Sequence, residues 1–537
     1  MIDDFVQECS RFGITVSRHG LQDYLRDESR FRGFASGLVR ARHEDDVVRI
    51  VRLANKWRIH LTVAAGMTSL TGASVAAGGI VLDVRALNSL DRDHPTLVGP
   101  AVILKDYKRF LEGKGLFYPP DPTSEDSCTL GGNVACNASG VLSYLYGPTR
   151  DYVSGLKMLL PFGGVLRIDR GDFISKDGVF RVHSSLVKPR LAQELVIPVP
   201  RLRSVDWHTC KNAAGLYSAA PMDLVDLFIG SEGILGIILE IKTRLLPRRD
   251  PFFAMMVYLP TLDYAMRLVE LVDDMRRYSK ASTRESRGPA TKILSSTSGC
   301  GEEPALDRFQ GVVPSCMEWF GSSVARFLSP ERRRLLERSF GALYVEQEYR
   351  ADADPLEMAS RWGEMLDGLR LSGADSSPEI RTEVALDTRK IRELREERHA
   401  VPQRLNEAIL PGMTKVGMDF AVPMKHLRKL IRLYQAVLSE VEWYDFGHIG
   451  NAHIHVNILP RDDEEMARAK SLSLELAEEI CRMGGTVSAE HGIGKLKHGL
   501  LRLMVGAEGI EEIRRVKAVL DPRGILGMGN MVPHTPD

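Results

Sequence analysis

Residues 119–140 read PPDPTSEDSCTLGGNVACNASG, and from Gly131 to Gly140 the chain carries almost no side-chain bulk. A run this small lets backbone lie flat against a ligand ring. It does not stand alone. Upstream, residues 59–84 read IHLTVAAGMTSLTGASVAAGGIVLDV, with apolar ends that read as strands around a middle of Ala65, Gly66, Met67, Thr68, Ser69 and Gly72. Downstream, residues 224–246 read LVDLFIGSEGILGIILEIKTRLL, which sets Gly230–Gly236 between apolar runs. Small residues expose peptide N–H groups, and Thr68 and Ser69 add hydroxyls, a combination suited to a diphosphate. Neither the GxGxxG spacing nor a GK[ST] motif is present. Each loop alone reads equally well as a turn; four such loops in this order do not.

The chain has 537 residues, 44% hydrophobic and 26% charged. That describes a globular protein of more than one domain and excludes disorder over most of its length. Lysine plus arginine balances aspartate plus glutamate at 71 each, which argues against a nucleic-acid binder. The cysteines at 9, 128, 136, 210, 300, 316 and 481 form no CxxC pair. This excludes a zinc ribbon, a ferredoxin-type cluster and a disulfide scaffold, and reduced thiols are expected. The N-terminus, MIDDFVQECSRFG, is acidic where a signal peptide is basic. No stretch approaches the ~20 apolar residues that span a bilayer. A cytoplasmic protein is expected, with docking at a membrane through a partner left open.

Apolar spacing predicts helices over 44–57, 262–278 and 354–370 and a strand over 341–349. Residues 283–311 read as a polar, mobile loop. Near the end, a strand over 452–459, a helix over 463–483, a glycine loop over 484–494 and a helix over 508–520 follow. The character of the sequence changes after Pro247. Three regions are expected: 1–250, 251–430 and 431–537.

The last region carries a second constellation. Residues 447–457 read GHIGNAHIHVN, and strand alternation puts His453, His455 and Asn457 on one face, with His448 just before them. Residues 484–494 read GGTVSAEHGIG and bring Glu490 and His491. Histidines with a glutamate suit a divalent metal with an open position, and equally a set of structural hydrogen bonds.

The order of these motifs resembles the flavoproteins of the vanillyl-alcohol oxidase type, and within them the D-lactate, glycolate and D-2-hydroxyglutarate dehydrogenases. The family pattern PRGGGTSLSGG is met by Val63–Ala73, with Ala65 and Met67 where glycines usually stand. PPDP, GGN, NAGG, YG and RD are met at Pro119–Pro122, Gly131–Asn133, Asn137–Gly140, Tyr146–Gly147 and Arg150–Asp151. GSEGTLG is met at Gly230–Gly236. The resemblance implies an α+β fold: a two-subdomain FAD-binding domain, an α+β substrate (cap) domain and a C-terminal segment completing the active site. It implies FAD contacts at Ala65, Gly66, Met67, Thr68, Ser69, Gly72, Pro120, Asp121, Gly131, Gly132, Asn133, Asn137, Gly140, Tyr146, Gly147, Glu232, Gly233, Gly236, Ile237 and Asn530.

The family pattern GHxGDGNxH resembles residues 447–455, with Asn451, Ala452 and His453 in place of its inner D-G-N, and EHGxG is intact at Glu490–Gly494. Carried over, His448, His455 and Glu490 hold a divalent metal such as zinc, His491 is the substrate-facing base and Asn457 contacts substrate. Arg395, within Glu393-Leu394-Arg395-Glu396, matches the family arginine that grips the substrate carboxylate. Lys415 stands four residues before Asp419. The implied reaction is FAD-dependent oxidation of a D-2-hydroxy acid to the 2-oxo acid. Electrons would pass to an external quinone, cytochrome, electron-transfer flavoprotein or oxygen, since the sequence holds no haem or iron–sulfur motif. A homodimer is an open alternative to a monomer. The rival readings are a non-catalytic flavin-binding subunit of a larger redox complex and an ether-lipid-synthase-like flavoenzyme.

Overall fold

The computed structural model describes residues 1–189, 191–202, 206–207, 209–285, 311–371 and 379–534. Most of the 283–311 segment, expected as a loop, lies outside the described residues.

The N-terminal part is built on two sheets. In the first, strands Gly37–Arg40, Ile80–Asp83 and Leu61–Ala64 run parallel, with the short strand Val16–Ser17 antiparallel at one edge. A parallel pair needs a crossover. Helix Glu44–Trp57 supplies it, burying Val47, Ile50, Val51 and Ala54 against the sheet, as the spacing predicts. The second sheet is antiparallel, in the order Val187–Lys188, Val165–Asp169, Val153–Leu159, Ile237–Thr243, Leu97–Val98.

Beyond residue 251 a seven-stranded antiparallel sheet takes over. Its order is Arg381–Ala385, Phe252–Leu259, Gly341–Glu348, Cys316–Gly321, Trp443–Gly447, His455–Ile458, Val416–Met418. Strand Phe252–Leu259 is apolar at every position because both its faces are covered. Phe253, Met255, Val257 and Leu259 join the core containing Met266, Val269 and Trp362, from helices Leu262–Glu285 and Pro355–Leu371. Ala254, Met256 and Tyr258 join the core containing Leu394, Val401 and Leu405, from helix Thr388–Glu407. The division expected at residue 430 falls inside this sheet, because Val416–Met418 pairs with His455–Ile458.

Three expected elements differ locally. Residues 130–136 form a short helix rather than a loop: the Thr129 hydroxyl accepts from the Gly132 N–H at 3.3 Å, Leu130 and Val134 are buried, and Asn137 ends the helix at φ 50°. A side-chain cap and two buried anchors outweigh the low helix propensity of Gly131 and Gly132. The strand expected over 452–459 is shortened to His455–Ile458, because Ala452 turns left-handed at φ 50°. The last helix starts early, at His498, and breaks at Gly506 before running on to Leu520. Beyond it the chain returns to the first sheet, where Leu61 N–H donates to Ile525 O at 2.7 Å.

Gly506 has φ 72° and ψ 176°, a conformation open in practice only to glycine, and a Cβ there would meet nothing within 4 Å. Gly506→Ala therefore tests backbone strain alone. It is expected to cost about 1–3 kcal/mol, read as a lower Tm with unchanged spectra.

Candidate active site

The loops of the first sheet, the 130–140 segment and the 231–238 segment open onto one cavity of about 1160 Å³, whose far wall comes from the seven-stranded sheet and the 490–500 segment. This exceeds the ~300–1,000 Å³ of an ordinary small-molecule site. Of the residues expected to contact a flavin dinucleotide, Ala65, Gly66, Met67, Thr68, Ser69, Gly131, Gly132, Asn133, Gly140, Glu232, Gly233, Gly236 and Ile237 line it.

Gly72, Pro120, Asp121, Asn137, Tyr146, Gly147 and Asn530 are not on that lining, and several brace it from behind. The Asp121 carboxylate accepts from Leu142 N–H at 3.1 Å, and the Asn137 side chain accepts from Arg150 N–H at 3.0 Å. Tyr146 donates to Glu348 at 2.7 Å. The Asn530 amide donates to the carbonyls of Ala73 and Glu232 at 2.9 Å each.

Two of the residues that stand where the resembled patterns carry glycine keep a glycine-like backbone. Met67 sits at φ 55° and Ala452 at φ 50°, both left-handed. Ala65 is not among the positive-φ residues, so alanine is unstrained in that sense. Gly66 is needed for another reason: a Cβ there would lie 2.6 Å from Ser127 O. The Ser69 hydroxyl is used internally, accepting from Thr71 and Ala73 N–H at 3.2 Å each. The cavity also holds an unmet demand. Asn133 Nδ2 is buried without a protein partner, a donor suited to a polar ligand edge. Small loops, an orphan donor and the volume together fit an extended flavin dinucleotide.

Glu232 joins this wall to the C-terminal site. Its buried carboxylate accepts from Ile493 N–H at 2.7 Å and Gly494 N–H at 2.6 Å. Gly492 lies so close that a Cβ would sit 2.7 Å from Glu232 Oε1.

Two carboxylates, the buried Asp419 and the partly buried Glu490, organise the far wall. Ser139 donates to Glu490 Oε1 at 2.9 Å, Lys211 donates to the same oxygen, and His448 Nε2 lies 3.1 Å from it. His455 Nε2 is 3.6 Å from the other oxygen. Burial works to raise the Glu490 carboxyl, but the charges of His448 and Lys211 hold it well below the usual range. Asp419 takes Ser488 Oγ at 2.8 Å, Lys497 Nζ at 3.2 Å and the His491 N–H at 3.0 Å on Oδ2. His491 Nδ1 is 3.1 Å from that same oxygen. Burial is again overridden, here by His491 and Lys497, and Asp419 lies well below its ordinary value. Behind His448, Glu318 Oε1 meets Nδ1 at 2.6 Å. Donor atoms of His448, His453, His455 and Glu490 all lie within 4.8 Å of one another, as do those of Asp419, His455 and His491. A carboxylate behind a metal-binding imidazole is the usual supporting arrangement, so the donor set fits a divalent ion.

Arg395 requires a correction. Its guanidinium is bidentate with Glu346, at 2.7 and 2.8 Å, and it is not on the cavity lining. Glu346, with Arg249 also 2.9 Å away, is held at about 2 despite its burial. Of the arginines on this helix, Arg398, three residues on, is the one on the cavity lining, and its Nε donates to Glu318 at 3.1 Å. One helical turn separates the two, and the charged run ELREERH offered no way to tell which faced inward. Lys415 also lines the cavity and has no ion-pair partner among the described residues. Burial pushes it down to about 8. Sequence reasoning also missed Lys211 and Glu318, whose segments carry no pattern of their own, and the bracing role of Asp419.

Comparison with known proteins agrees with this geometry. The profile described as FAD binding domain matches residues 35–169, and that described as FAD linked oxidases, C-terminal domain, matches 332–531. The glycolate oxidase subunit GlcD of Bacillus subtilis is 25% identical over 93% of this chain and 90% of its own. The D-2-hydroxyglutarate dehydrogenase of Stutzerimonas stutzeri is 26% identical over 96% of both chains. The D-lactate dehydrogenase of Anaerostipes hadrus is 24% identical over 99% of this chain and 97% of its own. Among solved structures, an alkyldihydroxyacetonephosphate synthase superposes with TM-score 0.63 at 15% identity, covering 99% of this chain and 85% of that one, a likeness of fold. The fold and site define an FAD-binding oxidoreductase of the vanillyl-alcohol oxidase type. The chain belongs to the FAD-linked oxidases and dehydrogenases, and is homologous to enzymes of 2-hydroxy acids. No helix among the described residues is long and apolar enough to cross a membrane.

Glu232→Gln keeps the shape of the clamp but removes its charge and one acceptor. Each hydrogen bond to a charged group is worth about 1.5–3 kcal/mol. A lower Tm and a reduced FAD content after gel filtration are expected.

Proposed function

We propose that this chain oxidises a D-2-hydroxy acid to the 2-oxo acid and passes the electrons to an external acceptor. The observation that carries the reading is the Asp419–His491 pair facing the same cavity as Arg398 and Lys415, across from the flavin loops. When bound, FAD supplies the two-electron acceptor for the C2 hydride, and a divalent ion held by His448, His455 and Glu490 supplies a Lewis acid for the α-hydroxyl.

The protein's own residues divide the remaining work. Arg398 and Lys415 are cations placed to hold the substrate carboxylate, Arg398 through a planar fork and Lys415 as a point charge. Asp419 beside His491 Nδ1 fixes the tautomer, which leaves Nε2 as the base for the hydroxyl proton. Asn457, buried on the same wall, positions the substrate. Glu318 holds both Arg398 and His448, so the carboxylate grip and the metal ligand share one anchor.

Mixing the yellow holoprotein anaerobically with small D-2-hydroxy acids tests the reading. Bleaching of the flavin band by at least one of them is expected; no bleaching across D-lactate, glycolate and D-2-hydroxyglutarate would sink it. Arg398→Lys is expected to lower kcat/KM by about tenfold to a hundredfold with FAD content unchanged, the loss of a charge-assisted pair. Arg395→Lys, acting on the Glu346 pair, is expected to lower Tm instead.

Lys415 gives the pH dependence its sign. It is cationic below about 8 and neutral above. Substrate anion binding therefore weakens as pH rises through that value, and kcat/KM, which reports the free enzyme, should fall on the alkaline side. Lys415→Met is expected to lower kcat/KM at neutral pH and to flatten that limb.

A further inference from the structure

The histidine cluster holds one member that the expected ligand set leaves out. His453 is fully buried, and both its ring nitrogens lack a hydrogen-bond partner. Nε2 lies 2.9 Å from Asp419 Oδ1, yet the two are not aligned as a hydrogen bond. Orphaned imidazole nitrogens at zero exposure are costly unless something meets them. The surroundings say what that is. The His453 ring centroid is 4.3 Å from that of His455 and 5.3 Å from that of His448. A donor atom of His453 lies within 4.8 Å of those of His448, His455 and Glu490. Asp419 lies beside the His453 ring as Glu318 lies beside that of His448, a carboxylate set behind an imidazole.

We propose that His453 is a fourth protein ligand of the divalent ion, so that three imidazoles and Glu490 hold it. The inference rests on the metal reading above and extends it. The backbone explains how His453 reaches the ion. Ala452, left-handed at φ 50°, lets the chain turn between His448 and His455, and His453 pairs with Ala421 only through an isolated bridge. Its ring is thereby free of the strand alternation that fixes His455. Two consequences follow. A nitrogen-rich set selects zinc, cobalt or nickel over magnesium, calcium or manganese. With three imidazoles and Glu490 as ligands, a substrate hydroxyl would enter as a fifth ligand, in an expanded coordination shell.

The test uses the full-length FAD-loaded protein, stripped of metal and titrated with Zn²⁺ or Co²⁺ alone. Wild type, His453→Asn and His455→Ala are compared, with flavin absorbance as the check on folding. Removing an outer partner of a metal ligand already costs about 10–100-fold in affinity. His453→Asn is therefore expected to weaken binding by about 100-fold or more and to change the visible bands of bound Co²⁺. X-ray absorption of the zinc-loaded wild type, which needs no variant, is expected to count three imidazoles. Unchanged affinity and Co²⁺ bands in His453→Asn, or a count of two imidazoles, would overturn the proposal. If His455→Ala still lost the ion in that case, the three-ligand reading would stand. A wild type that takes up neither ion would overturn both.

Discussion

The buried Glu232 carboxylate, accepting the amides of Ile493 and Gly494, is the contact on which the site depends. It belongs to a loop of the flavin wall, and the amides it holds follow directly on Glu490 and His491. Residues some 260 positions apart in sequence are thereby fixed within hydrogen-bond distance. Asn530 reinforces the same junction by donating to Glu232 O, while Lys495 donates to the Asn530 side chain. A charge-assisted bond to backbone amides is short and directional, so the clamp sets both distance and orientation. The glycines at 492 and 494 are needed because the clamp is tight. A Cβ on Gly494 would lie 2.2 Å from Thr71 O, a backbone atom that cannot yield.

Around that junction the site is an exercise in burying charge with partners. Asp419, Glu490 and Glu318 are all nearly inaccessible carboxylates, and each faces imidazole, ammonium or guanidinium groups. An isolated buried carboxylate would take up a proton. Here the cations reverse that tendency, and Glu318 is held at about 2. Carboxylates kept ionised this way can orient His448 and His491 and retain a divalent ion. Ser139, from the segment that closes the flavin wall, donates to Glu490, so the two halves of the site share a carboxylate as well as a cavity.

The left-handed positions show how a departure in sequence leaves structure intact. Met67 and Ala452 stand where the resembled patterns carry glycine, and both keep positive φ. The penalty for an L-residue there is about 1–2 kcal/mol, small enough for the surrounding packing to absorb. Pattern matching at those positions registers a mismatch; the backbone registers none.

The sequence by itself determined the class of fold, the order of the flavin loops and the histidine-glutamate cluster. Local rules marked the loops and the cluster, through small residues where backbone meets ligand and donor types at short spacing; the fold class and the flavin came from the resemblance of those motifs to a known family. It did not determine which arginine of helix Thr388–Glu407 faces the cavity. Arg395 and Arg398 sit on one helix, and only the packing of Leu394, Val401 and Leu405 fixes its rotation, sending Arg395 to Glu346 and Arg398 to the site. Nor did it reveal Lys211 at Glu490, Glu318 behind His448, or the loops that brace rather than touch the cavity. Those are contacts between segments distant in the chain, and no local pattern encodes a partner that only tertiary packing brings near.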